Sequence, residues 1–224
     1  MVRLVTMLAA AGAAVLVAMT SDLHADPASG RALVTAAERG DVAAVQRLLG
    51  AGVAVDSRDN TGRTALLAAT HANRVEVARV LIAAGADVNA KDKIQDSPYL
   101  YAGAEGRNEI LKMTLAAGAN LKSVNRYGGT ALIPAAHHGH PETVKILLAT
   151  AIDKDHINKL GWTALLEAVI LGDGGAVHTE IVRLLVAAGA NANIADRDGV
   201  TPLGHARRRG FTATAAILEA AGAR

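Results

Sequence analysis

Apolar positions between residues 59 and 91 fall into two helical groups separated by a polar break. Residues 65–72 make a short run of about two turns, rich in Ala and Leu, just after Thr64. The Thr64 hydroxyl can take an unpaired N–H at the start of that helix. Residues 75–84 predict a second helix, with Val77, Val80, Leu81 and Ala84 on one side at spacings of three and four. Gly85 can end it in a left-handed conformation, and Asp59, Asn60 and Gly62 read as a polar, hairpin-like turn. The pattern recurs. Thr64 is followed by Ser97, Thr130 and Thr163 at steps of 33 residues, then by Thr201 after 38. Gly85-Ala86-Asp87-Val88-Asn89, Gly118-Ala119-Asn120 and Gly189-Ala190-Asn191-Ala192-Asn193 keep the same phase. One such unit cannot bury its apolar face alone, whereas stacked copies can. The expected fold is therefore an all-α helix–turn–helix solenoid with short fingers.

The period divides residues 26–224 into an N-terminal cap (26–58), four units (59–91, 92–124, 125–157, 158–195) and a C-terminal cap (196–224). The unit at 92–124 departs most, with Gln95 in place of the turn glycine, Ser97-Pro98 in place of Thr-Ala, and Tyr99 in a Leu slot. Two readings stay open there, a finger remodelled for partner contacts or local repacking around larger side chains. In the unit at 125–157, Ala151 replaces the helix-ending glycine and Lys154 an apolar residue, which makes this junction the expected weak point of the stack. The unit at 158–195 carries five extra residues, expected to lengthen the turn between its helices as a plain flexible loop through Asp173-Gly174-Gly175.

Composition sharpens the picture at three points. Hydrophobic residues make up 51% of the chain but aromatics only 2%, so the core must be built from Ala, Leu and Val. A net charge of +2 gives no basic stripe, and Arg207-Arg208-Arg209 reads as a solvated helix end with a minor packing role, so nucleic acid is not an expected partner. The N-terminus reads as a secretory signal spanning residues 1–25, with Arg3 before an apolar run from Leu4 to Met19 and cleavage expected after Ala25. That run is short for a membrane span of about 20 residues. The expectation is a periplasmic or secreted protein with no stable membrane insertion after cleavage, the alternative being an uncleaved N-terminal anchor. The chain has no Cys, so neither a disulfide nor a lipid-modified thiol is available.

With T-[AP]-L near the start of each unit and L-[LI]-x-x-G-A near its end, the 33-residue period resembles the ankyrin repeat. Thr64-Ala65-Leu66, Thr130-Ala131-Leu132 and Thr201-Pro202-Leu203-Gly204-His205-Ala206 carry the match, which runs from about Ala28 to the C-terminus. The segments NRYGGTALIPAAHHGH and LGWTALLEAVILGDGG look similar to secreted bacterial members. The resemblance implies a stack of about six units including two caps. It further implies a non-catalytic module that docks a protein on the concave side formed by fingers and inner helices. Carried onto this chain, the groove positions are Arg63, His71, Asp96, Tyr101, Glu105, Tyr127, His137, His138, Leu160, Trp162, Glu167, Ile170 and Leu171. The single Trp162, beside Leu160, Ile170 and Leu171, reads either as an exposed anchor or as packing against the next finger. A monomer with no catalytic residues, cofactor or metal is expected. The alternative is a small-molecule or metal site built from His71, Glu105, His137, His138 and Glu167. His137 and His138 are adjacent on one helix end, so a closed zinc site would need ligands from elsewhere.

Overall fold

The computed structural model describes residues 27–224, which form twelve α-helices and one isolated antiparallel bridge, Arg58 with Thr64. The expected signal segment, residues 1–25, lies outside the described residues. Six inner helices are α1 (Pro27–Arg39), α3 (Ala65–His71), α5 (Pro98–Ala104), α7 (Leu132–His137), α9 (Ala164–Ile170) and α11 (Pro202–Arg208). Their outer partners are α2 (Val42–Gly50), α4 (Val75–Ala83), α6 (Asn108–Ala116), α8 (Pro141–Leu148), α10 (Ala176–Ala187) and α12 (Thr212–Ala220). Each inner helix packs on the next inner helix and each outer helix on the next outer one, the nearest-neighbour arrangement of a solenoid.

Small residues set the spacing of the inner row. A Cβ placed on Gly103 of α5 would stand 2.8 Å from the Ala131 Cβ, so the backbones meet almost directly there. All residues from Ala65 to Thr70 and from Ala164 to Val169 are buried, which an Ala-rich helix flanked by copies of itself requires. Leu66, Leu81, Leu111, Leu132, Leu147, Leu165 and Leu185 fill the space between the rows, each contributing about 1.5–3 kcal/mol by leaving water. Tyr99 belongs to this core: it is fully buried, its hydroxyl has no partner, and burial pushes its phenol well above the usual range. Of the two readings for the unit at 92–124, Tyr99 follows repacking.

Four inner helices start on the expected cap, with Thr64, Ser97, Thr163 and Thr201 each accepting an N–H three residues on at 3.2 to 3.3 Å. Thr130 does not. Its hydroxyl is buried without a partner, and α7 starts one residue later than its counterparts. Pro134 is the cause: it has no N–H to bond the Thr130 carbonyl, so that carbonyl takes Ile133 N–H instead, at 3.2 Å, the donor the hydroxyl would otherwise use. Ala151 has no left-handed conformation, and the missing turn bond is replaced through a side chain. Thr150 Oγ1 donates to Leu147 O at 2.6 Å and accepts from Ile152 N at 3.2 Å.

Two sequence expectations need correction. The five-residue extension within 171–179 is not a plain flexible loop. Most of it lengthens α10 to 12 residues against nine for α4, and the remainder is clamped, with Asp173 Oδ1 accepting from Gly175 N at 2.9 Å and meeting His178 Nδ1 at 3.0 Å. The second concerns Arg209, an exposed helix end whose packing role is larger than the minor one expected. It donates to the Val169 carbonyl at 2.8 Å and to the Ile170 carbonyl, and its guanidinium lies over Phe211. The last carbonyls of an inner helix lack intrahelical donors and carry partial negative charge. A side chain from the following unit supplies the donor at α1 (Arg74 to Glu38 O), α5 (His138 to Ala104 O), α7 (His178 to His137 O) and α9 (Arg209).

Candidate functional groove

Each finger is closed by one side chain. Asp59, Asp92, Asn125, Asn158 and Asp196 accept, on a single oxygen, the N–H groups of the residues two and four further on, at 2.8 to 3.0 Å. Short polar side chains can take this local role at turns. The clasp fixes the fingertip backbone and leaves the side chain two residues on free to project. In the three central fingers that residue is apolar and exposed: Ile94 at 53%, Tyr127 at 54% and Leu160 at 46%. In the first and last fingers it is Thr61 and Asp198. A column of exposed apolar residues confined to the middle of the stack is the kind of surface that marks a binding site.

Behind this column lies a cavity of about 410 Å³ between the fingers and the inner-helix ends of the units at 92–195. Its lining includes Asp96, Tyr101, Glu105, Tyr127, His137 and His138. Leu160, Glu167 and Leu171 complete the set that sequence reasoning placed there. Four proposed groove residues fall elsewhere. Arg63 is engaged by Asp59 at 2.9 Å and Glu38 at 3.5 Å, and His71 stacks on Tyr101 with ring centroids 3.9 Å apart. Trp162 and Ile170 do not line the cavity, and Trp162 is partly buried rather than an exposed anchor. Sequence reasoning missed Ile94, Arg126 and Asn158. Ile94 was readable by aligning the column at 61, 94, 127, 160 and 198, whereas the part played by Asn158 needs coordinates.

In two of the clasp residues the second side-chain atom reaches the inner helix nine residues on. Asp196 Oδ2 meets His205 Nε2 at 2.7 Å, and Asn158 Nδ2 donates to Glu167 Oε1 at 2.8 Å. Burial pushes the Glu167 carboxyl above its ordinary value, with the Asn158 amide acting in the opposite direction. Burial likewise raises Asp96, opposed by Arg126 at 3.5 Å, and lowers His137, helped by the neighbouring His138. His137 is therefore neutral near pH 7. His71 is also lowered, by burial and then by Arg63. His138 Nδ1 sits 2.8 Å from the Ala104 carbonyl, an acceptor only, so that nitrogen carries the proton.

These groups offer hydrogen bonds and charge, not a nucleophile activated by a base. Among the described residues no group of three or more His, Cys, Asp or Glu is placed to hold a metal ion, so the metal alternative built on His137 and His138 has no supporting geometry. No helix among them is long and apolar enough to cross a membrane.

A family model described as Ankyrin repeats (3 copies) matches residues 6–92 and 99–196. An ankyrin repeat domain from Acinetobacter baumannii AYE is 57% identical, with a TM-score of 0.84 over 86% of this chain and 98% of its own. The ankyrin repeat protein EF0377 is 44% identical, with a TM-score of 0.82 over 85% of this chain and 97% of its own. The ankyrin repeat protein YahD of Escherichia coli (strain K12) is 49% identical over 57 residues, 25% of this chain. That alignment spans 28% of YahD's length.

Proposed function

Because this chain belongs to the ankyrin-repeat family, whose repeats bind protein partners and whose fold is generally a non-catalytic scaffold, we propose that it is an interaction module that docks one protein partner across its central fingers. The observation that carries this reading is the exposed column Ile94, Tyr127 and Leu160, standing in front of a cavity. Three apolar residues at the same position of successive repeats stand outside the hydrophobic core. A partner segment laid across them would bury all three together, and aromatic anchors of this kind dominate interface energies. No catalytic role is assigned to the cavity, since an open solenoid gives little shelter from water.

Two charge-changing variants expressed at native level from the natural host test the reading. Leu160→Asp, in the column, is expected to return the protein to the elution volume of a free chain of 22.9 kDa or less, while Lys112→Glu, on outer helix α6, keeps the complex. Retention of the complex by both variants would refute the groove as the docking surface. We place the protein outside the cytoplasm on the strength of residues 1–25 alone, and the intact mass of the native chain tests this, since cleavage would make it begin at Asp26.

A further inference from the structure

We propose that the cavity behind the fingertips is a receptor for a guanidinium group, and that the docked partner inserts an arginine side chain into it. The proposal rests on the interaction reading above and gives that interface its chemistry. Glu167 lies at the cavity wall with its side chain 7% exposed. Its two oxygens are treated differently. Oε1 accepts from Asn158 Nδ2, and the Asn158 amide cannot turn round, because its own oxygen is held by the Leu160 and Trp162 N–H groups. Oε2 makes no hydrogen bond, and the neutral imidazole of His137 leaves its Nδ1 3.8 Å away. The side chain is largely withdrawn from water, so Oε2 is the face of the carboxylate left open to a donor arriving from the cavity.

The remaining lining points to the same ligand. Glu105 lies 3.5 Å from His138 Nδ1, but that N–H is already spent on the Ala104 carbonyl, so Glu105 also keeps its acceptors. Asp96 is held by Arg126, whose guanidinium rests 4.9 Å from the Tyr127 ring centroid. The cavity thus presents three carboxylates against one guanidinium, with Tyr101 and Tyr127 as aromatic surface. Arginine suits it better than lysine. Its planar fork can serve two carboxylates at once and its plane can stack on an aromatic ring.

The test uses the full chain, labelled with nitrogen-15, and two capped pentapeptides, acetyl-Gly-Ala-Arg-Ala-Gly-amide and the same peptide with neutral citrulline in place of arginine. Amide shifts report site and affinity together. The arginine peptide is expected to move Glu105, Tyr127, Leu160 and Glu167 and to bind about tenfold tighter than the citrulline peptide. Glu167→Gln, which keeps the shape and the Asn158 contact, is expected to abolish that preference. Glu105→Gln should reduce it. Unchanged spectra of the free variants would show that neither has lost the fold. Equal affinity for both peptides, shifts confined to the outer helices, or a preference that survives Glu167→Gln would each overturn the proposal. These outcomes are separable from the interaction reading. A complex lost in Leu160→Asp with no preference for arginine would leave docking intact and remove the guanidinium chemistry, whereas the preference without that loss would do the reverse.

Discussion

Gln95 occupies the one finger glycine position at which this chain has a side chain, and it keeps the glycine conformation. Its φ is +70°, against +83°, +75°, +87° and +74° at Gly62, Gly128, Gly161 and Gly199. A non-glycine residue in the left-handed region costs about 1–2 kcal/mol. Gln95→Gly removes that cost but loosens the unfolded chain by about 0.4–1 kcal/mol. The net expectation is a stabilisation of about 0.5–1 kcal/mol. The converse change carries an extra penalty: a Cβ on Gly128 would lie 2.9 Å from Lys159 Cγ, so Gly128→Gln should cost more than Gln95→Gly gains. Urea unfolding followed by far-ultraviolet circular dichroism measures both, and the comparison is valid if the slope is unchanged between variants. A lower midpoint for Gln95→Gly would refute the reasoning, because it would mean that the Gln95 side chain contributes more than its backbone costs.

Three further outcomes follow from the same geometry. Pro134→Ala should stabilise by about 1 kcal/mol, because the Thr130 carbonyl regains its N–H and the Thr130 hydroxyl its cap, less the entropy released in the unfolded chain; a midpoint at or below the parent's would exclude this. Thr150→Val should cost about 1–3 kcal/mol by orphaning the Ile152 N–H, with Ser at the same position restoring most of the loss. For Glu167, the folded carboxyl holds its proton more tightly than the unfolded one, so its contribution to stability falls as pH rises from the ordinary glutamate value through the raised folded value. Glu167→Gln should flatten that part of the unfolding midpoint measured between about pH 4 and 8, and identical profiles for the two proteins would contradict the assignment.

Much of the fold was legible because its determinants are local and repeat. Thr64, Thr163 and Thr201 cap their helices through contacts within three residues, and the 33-residue step places the copies from Thr64 to Thr163 in one phase. What escaped the sequence depends on the meeting of two units or on a missing atom. Thr130 looks identical to Thr64 until the absent N–H of Pro134, four residues on, is followed to its consequence. Arg209 reads as a charged helix end, yet its partner is a carbonyl about 40 residues earlier, visible only once α9 and α11 are side by side. The groove divides in the same way. Tyr101, Glu105, Tyr127, His137, His138, Leu160, Glu167 and Leu171 share the cavity because repetition carries each to the same side of the stack. Trp162 was singled out as the one Trp at a finger position that repetition makes exposed, yet it is partly buried, because position in the repeat does not fix how a large side chain packs. The open oxygen of Glu167 was not legible at all, since it follows from the fixed orientation of the Asn158 amide.

The central claim is that partners meet the finger side and not the outer helices. Site-specific photo-crosslinking in the natural host tests it most directly, with benzoyl-phenylalanine placed at Tyr127 or Leu160 on the groove side, or at Arg79 or Lys112 on outer helices α4 and α6. The account predicts one discrete protein adduct shared by the Tyr127 and Leu160 positions and none from Arg79 or Lys112. An adduct formed from the outer helices, with none from the fingertips, would contradict it.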